Sequence, residues 1–437
     1  MKFQLTAAFL ALPMICSAAE WPQWRGPDGM GHAPDATNLP IEWSESENVA
    51  WKTEIPGRGH SSPVIDGNHI WLTTARETKA SPAEIKERMK TEKVGGQPMN
   101  VLSSAKLHAI CVDRESGEIL RDIQIMTREK PQFVHKLNSY ATPTPIIDGG
   151  VLFCHFGSMG TCALDTKSGE VLWSRQDIVV QHANGPGSTP VLWENHLIFH
   201  MDGSDEQFII ALDRASGETV WKTVRSGEMN ENPQLTKAYG TPIVAEFGGK
   251  PRVVSPAADW LYFYDPKTGE EVHKYPYGQL GFSNVAKPVA KDGFVIMPTG
   301  FMKSSMIGVR YDGVNEPELV WKYDKAVPKQ PSPLWIGDDL FFVDDAGVAG
   351  CLDAKTGEEI WRERLDGNFQ GSPIFADGRI YFTNQEGRTV VIKPGRKFEQ
   401  LADNKLDAPL MASAAAVGEA LYLRTEKALY RIEKKKG

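Results

Sequence analysis

Two hydrophobic phrases alternate along the chain. In the first, a small residue and Pro precede two or three apolar residues and a polar turn, as in Ser62-Pro63-Val64-Ile65-Asp66-Gly67 and Thr144-Pro145-Ile146-Ile147-Asp148-Gly149. The phrase returns at Thr189-Pro190, Thr241-Pro242, Lys287-Pro288, Ser332-Pro333 and Ser372-Pro373, with a degenerate copy at Ser413-Ala414. The second phrase, Leu-Asp-x-x-(Ser/Thr)-Gly-Glu-x-x-Trp, runs from Leu164 to Trp173, Leu212 to Trp221 and Leu352 to Trp361. Weaker copies start at Val112, Tyr264 and Tyr311. Each phrase predicts a hairpin: a β-rich run, a turn residue that bonds its own backbone, a Gly for positive φ, then a second strand. One period of about 45 residues thus holds four short strands, the unit of a β-propeller blade.

Eight starts predict eight blades. Length alone (437 residues) suggests about three domains; the repeat reduces them to one all-β ring. The last blade has strands expected near 411–417, 420–424 and 428–433 and lacks a Trp strand. The orphan run 48–54 is expected to supply it, joining the chain ends and leaving no open edge. Trp51, Trp173, Trp221, Trp321 and Trp361 then sit on outer strands. Their expected role is structural, each indole wedged between neighbouring blades.

The first residues change the picture of location. Lys2, the apolar stretch Leu5 to Ile15, and Ser17-Ala18-Ala19 predict a signal peptide over 1–19, cleaved before Glu20. Ile15 before Cys16 does not suit lipoprotein processing. No later run reaches the length of a membrane span, so a soluble periplasmic or secreted monomer with no transmembrane segment is expected. The net charge of −8 argues against a nucleic-acid partner. Cys154 and Cys162 flank a short turn, and two readings stand: a cross-hairpin disulfide, or small buried hydrophobes like Cys111 and Cys351.

Candidate chemistry gathers on the face with irregular connections. His60, His135, Asn138, Tyr140, His182, Asn184, Tyr239, Asn284, Lys329 and Gln370 lie just before innermost strands and are expected to ring a central funnel. Such a ring binds a small polar ligand or peptide, or lines a water-filled channel. An insertion over 75–106 in blade 1 carries the capping box Ser81-Pro82-Ala83-Glu84, which predicts a helix near 82–93. That helix is either a lid or partner surface, or a solvated excursion. Asp202 and Asp205 form an oxygen-rich turn, a candidate Ca²⁺ site or a solvated loop. The chain has no G-x-S-x-G elbow, H-E-x-x-H pair or Walker loop, so no catalytic residue is assigned.

The Asp-x-x-Thr-Gly-Glu-x-x-Trp copies resemble the tryptophan-docking motif of the PQQ-like (quinoprotein-type) eight-bladed propeller family, over about residues 42–433. The opening Trp21-Pro22-Gln23-Trp24-Arg25-Gly26-Pro27 resembles the start of exported proteins of that group. The resemblance implies one of two branches: calcium- and quinone-dependent dehydrogenases, or non-enzymatic BamB-like propellers of outer-membrane assembly. The dehydrogenase branch usually carries two adjacent cysteines; this chain has none. The expectation is therefore a non-catalytic exported scaffold without cofactor, binding a protein, peptide or small ligand at its funnel face. The alternatives are a PQQ- and Ca²⁺-dependent oxidoreductase and a carbohydrate-binding or carbohydrate-cleaving propeller.

Overall fold

The computed structural model describes residues 21–90, 97–278 and 281–435. The signal-peptide expectation falls outside them. Each repeat folds into four antiparallel strands laid from axis to rim. Blade 2 is typical: Ile146–Asp148, Val151–His155, Thr161–Asp165 and Val171–Arg175 pair in that order. The alternation follows from burial: the middle strands are enclosed on both faces and read as continuous apolar runs, whereas the outer strand alternates. Eight such sheets form an eight-bladed propeller.

Closure follows the expected route. Val49–Glu54 pairs antiparallel with Ala428–Glu433 and becomes the outer strand of blade 8.

The outer strands are fixed by their indoles. Trp51, Trp173, Trp221, Trp321 and Trp361 donate Nε1–H to the carbonyls of Arg114, Arg214, Pro266, Ala354 and Gly395 in the following blade. Four of these rings lie flat on the turn glycines Gly117, Gly217, Gly269 and Gly357. A Cβ added there would stand 2.5–2.7 Å from the indole. The Gly of the repeat therefore serves both a positive φ and the seat of the neighbour's Trp.

The axis is held by a second device. The backbone N–H of each small residue before Pro donates to the hydroxyl of its counterpart in the next blade. The bonds run Ser62 to Thr144, Thr144 to Thr189 and Thr189 to Thr241. They resume from Lys287 to Ser332, Ser332 to Ser372, Ser372 to Ser413 and Ser413 back to Ser62. The one gap lies between Thr241 and Lys287, where blade 5 carries Lys in place of a hydroxyl.

Blade 1 departs from the expected boundaries. Its middle strands continue as one ladder, His69–Lys79 with Leu102–Asp113, so the excursion begins only after Lys79. It opens with α1 (Pro82–Arg88), capped by Ser81, whose hydroxyl accepts from Glu84 N. The helix is shorter than expected, and 91–93 fall outside the described residues. Arg88 ties it down, bonding the carbonyls of Leu102 and Pro131 and lying 4.6 Å from the Phe133 ring centroid.

Candidate functional site

The N-terminal segment closes one end of the axis. Trp21 exchanges backbone hydrogen bonds with Ile65 of blade 1, and Pro22 O accepts from Ile147 N of blade 2. Arg25 reaches Pro333 O of blade 6, and His32–Ala33 pairs in parallel with the inner strand of blade 7. Trp24 Nε1 donates to Ser413 Oγ of blade 8. Trp24 thereby becomes a lining residue of the funnel, beside Ser62, Thr144, Thr189 and Ser413 of the hydroxyl ring.

The funnel is a cavity of about 690 Å³, within the range of ligand sites. Of the ten residues expected to ring it, His60, His135, Asn138, Asn184, Tyr239, Lys329 and Gln370 line it. Three do not. Tyr140 and His182 face a separate cavity of about 220 Å³ beside Phe133 and Met159. Asn284 is fully buried, its amide bonding Ala257 O and Tyr277 Oη. The strand-end backbone turns these side chains into the gaps between blades.

The seven lining residues differ in what they leave free. Asn138 is fully engaged: its amide bonds Asn184 O and Pro186 O, and its carbonyl accepts from Ser139 N and Thr142 Oγ1. Tyr239 donates to His182 O. His60 Nε2 is buried with no partner among the described residues. Burial, aided by Arg58 and Arg424, pushes its pKa down to about 3, so its ring is neutral. His135 Nδ1 accepts from Leu137 N, which leaves Nε2 as the donor. Lys329 is held by its backbone N–H on Asp345 Oδ2, and its ammonium lies 5.2 Å from the Phe301 ring centroid.

Several lining residues carry no repeat signal. Phe301 and Met302 come from the long link in blade 5, and Leu137 precedes blade 2. They are 51%, 70% and 53% exposed, so the mouth of the funnel has an apolar rim. Lys237 adds a cation, its ammonium donating to Gln234 Oε1. Gln97, on the return arm of the blade-1 excursion, also reaches the lining, whereas no residue of α1 does. Arg88 anchors the helix on blade 1 itself.

At two further places the structure bears on alternatives left open above. Asp202 is fully buried, and its carboxylate is taken by Arg225 through Nε (2.7 Å) and Nη2 (2.8 Å). Asp205 Oδ1 accepts from Gln181 N and Glu206 N. The two acids share no open oxygen cage, and no metal-like group of three His, Cys, Asp or Glu occurs among the described residues. Cys154 and Cys162 are direct cross-strand partners, yet both remain thiols. A hydrogen bond between them, together with burial, raises the Cys154 pKa and disfavours the thiolate that disulfide exchange needs.

No match is found among curated proteins. Residues 311–437 match the family model of the outer membrane protein assembly factor BamB. Solved structures share the fold over nearly the whole ring. BamB from Moraxella catarrhalis is 14% identical, with a TM-score of 0.52, covering 76% of this chain and 99% of its own. A europium-containing methanol dehydrogenase is 11% identical, with a TM-score of 0.63 and coverage of 94% and 90%. A quinohemoprotein alcohol dehydrogenase from Pseudomonas putida HK5 is 11% identical, with a TM-score of 0.56 and coverage of 96% and 81%. These matches support the PQQ-like propeller expected from the repeats.

Proposed function

We propose that the protein is a non-catalytic scaffold of the cell envelope that binds a polypeptide segment in its funnel. The observation that carries this is the rim: Leu137, Phe301 and Met302 stand exposed around the mouth of the funnel cavity. Exposed apolar side chains gathered at one opening mark a binding surface. Below them Lys237, Lys329, His135 and Gln370 offer donors to a peptide backbone or carboxylate. The BamB match over 311–437 favours an envelope location and a protein partner.

A quinone-dependent dehydrogenase fits the lining less well. Asp345 is the one carboxylate on the funnel wall among the described residues, and it is already bonded to Lys329 N. Calcium prefers six to eight oxygen ligands, which this wall does not assemble. Neither are there adjacent cysteines.

The test is to select peptides on the purified protein from a random library and titrate them calorimetrically. The Phe301→Ser/Met302→Ser double variant should bind at least tenfold more weakly at an unchanged melting temperature. Equal binding by that variant would sink the proposal. So would stoichiometric binding of PQQ with Ca²⁺ accompanied by alcohol oxidation.

A further inference from the structure

The N-terminal plug carries buried charge that the funnel reading does not use. Arg25 is fully buried, in a left-handed turn with φ +66°. Its Nη2 donates to Pro333 O at 2.7 Å. Its Nε and Nη1 are buried with no partner among the described residues. Lys287, the residue that interrupts the hydroxyl ring, is buried beside it. Its ammonium lies 5.9 Å from the Trp24 ring centroid and so close to Gly29 that a Cβ there would stand 2.6 Å away.

The charge is unbalanced. Asp28 is the carboxylate in electrostatic reach of both cations. Its Oδ2 pairs with His32 Nδ1 at 2.5 Å and its Oδ1 accepts from Met30 N at 2.7 Å. When Lys287 is protonated, two buried cations face one carboxylate that is already engaged. Burial and the Arg25 charge push the Lys287 pKa down to about 7, as expected where like charges lack a counter-ion. Guanidinium and ammonium groups are donors only. A water molecule could accept both N–H groups but would neutralise nothing. An acceptor-only anion satisfies both hydrogen bonding and charge.

We propose that a small inorganic anion of the halide class binds on the propeller axis, against the unpartnered Nε and Nη1 of Arg25 and beside Lys287. The site lies in the plug, apart from the apolar rim. It ties the N-terminal segment to blades 5 and 6, where the hydroxyl ring is broken.

The full chain is melted in chloride and in gluconate at equal ionic strength. The midpoint should rise with chloride concentration and stay flat in gluconate, as for any ligand that binds only the folded state. Crystals soaked in bromide should show an anomalous peak beside Arg25. The Lys287→Thr variant should fold, because Thr supplies the missing hydroxyl opposite Thr241 N, and should lose most of the chloride-dependent shift. Formate serves as a second arm. A shift with formate and none with chloride would overturn the halide assignment. Equal midpoints in chloride and gluconate, a flat bromide map, or a full chloride shift in Lys287→Thr would each overturn the site.

Discussion

At the circumference, five tryptophans donate Nε1–H to a carbonyl of the following blade, and four of them also lay the ring on its turn glycine. On the axis, seven hydroxyls repeat as regularly, but one lysine breaks the series and an unrepeated N-terminal segment fills the centre. The circumference is a device copied by duplication, present in five of the eight outer strands. The axis is individual. Asymmetry in a ring of similar units concentrates where all units meet, and there the sequence has room for a specific role.

Breaking the buried Asp202–Arg225 pair in blade 3 should have the largest effect. Asp202→Asn leaves Arg225 uncompensated in the interior and should cost about 3–5 kcal/mol. Added Ca²⁺ should restore none of it, as measured by chemical denaturation. Next comes the girdle: Trp221→Ala, at a buried dock, should cost about 3–5 kcal/mol. A loss below about 1 kcal/mol would mean that the blades are held mainly from the axis.

Acid should act on the inner region. Burial holds the pKa of His60 and His155 down to about 3 and that of His182 to about 4. The unfolded chain takes up these protons near pH ~6.5, and the fold does not. Stability is therefore complete above ~6.5 and falls as pH drops toward 4. Each histidine contributes up to ~1.4 kcal/mol per pH unit. Denaturation midpoints at pH 7.5 and 5.0 check this, above the range in which most carboxylates titrate; equal midpoints would refute it. The smallest effect belongs to single ring hydroxyls. Ser332→Ala strips the acceptor from Lys287 N and should cost about 1–3 kcal/mol, the opposite sign from any gain in completing the ring at Lys287.

The same contrast explains what the sequence disclosed. Blade number, closure by 48–54 and the Trp positions were legible because each depends on a pattern repeated within one blade. The Ser/Thr before Pro was visible as a phrase, but its partner lies one blade away, so its purpose was not. Trp24 and Arg25 belong to no repeat, and their neighbours come from blades 6 and 8. Tyr140, His182 and Asn284 leave the funnel because position before an inner strand does not fix which way a side chain turns. Phe301 and Met302 carry no signal in the sequence because an irregular link has no period to read. Asp202 lies in an acidic turn in sequence; its partner Arg225 follows the outer strand of the same blade, two strands on.

The seam of the ring has a consequence for biosynthesis. Val49–Glu54 finds its partner only in Ala428–Glu433. At about 5–20 residues per second, the ribosome takes roughly 20–75 s to make the intervening chain. Throughout that time blade 8 does not exist, the strand 49–54 has no partner, and the apolar faces of blades 7 and 1 that blade 8 covers stand open. A sequestering factor, or delay of folding until the chain is finished, would be most valuable in that interval. A circular permutant that joins 48–54 directly behind 433 would make the closing pair local, and should fold faster than the natural order.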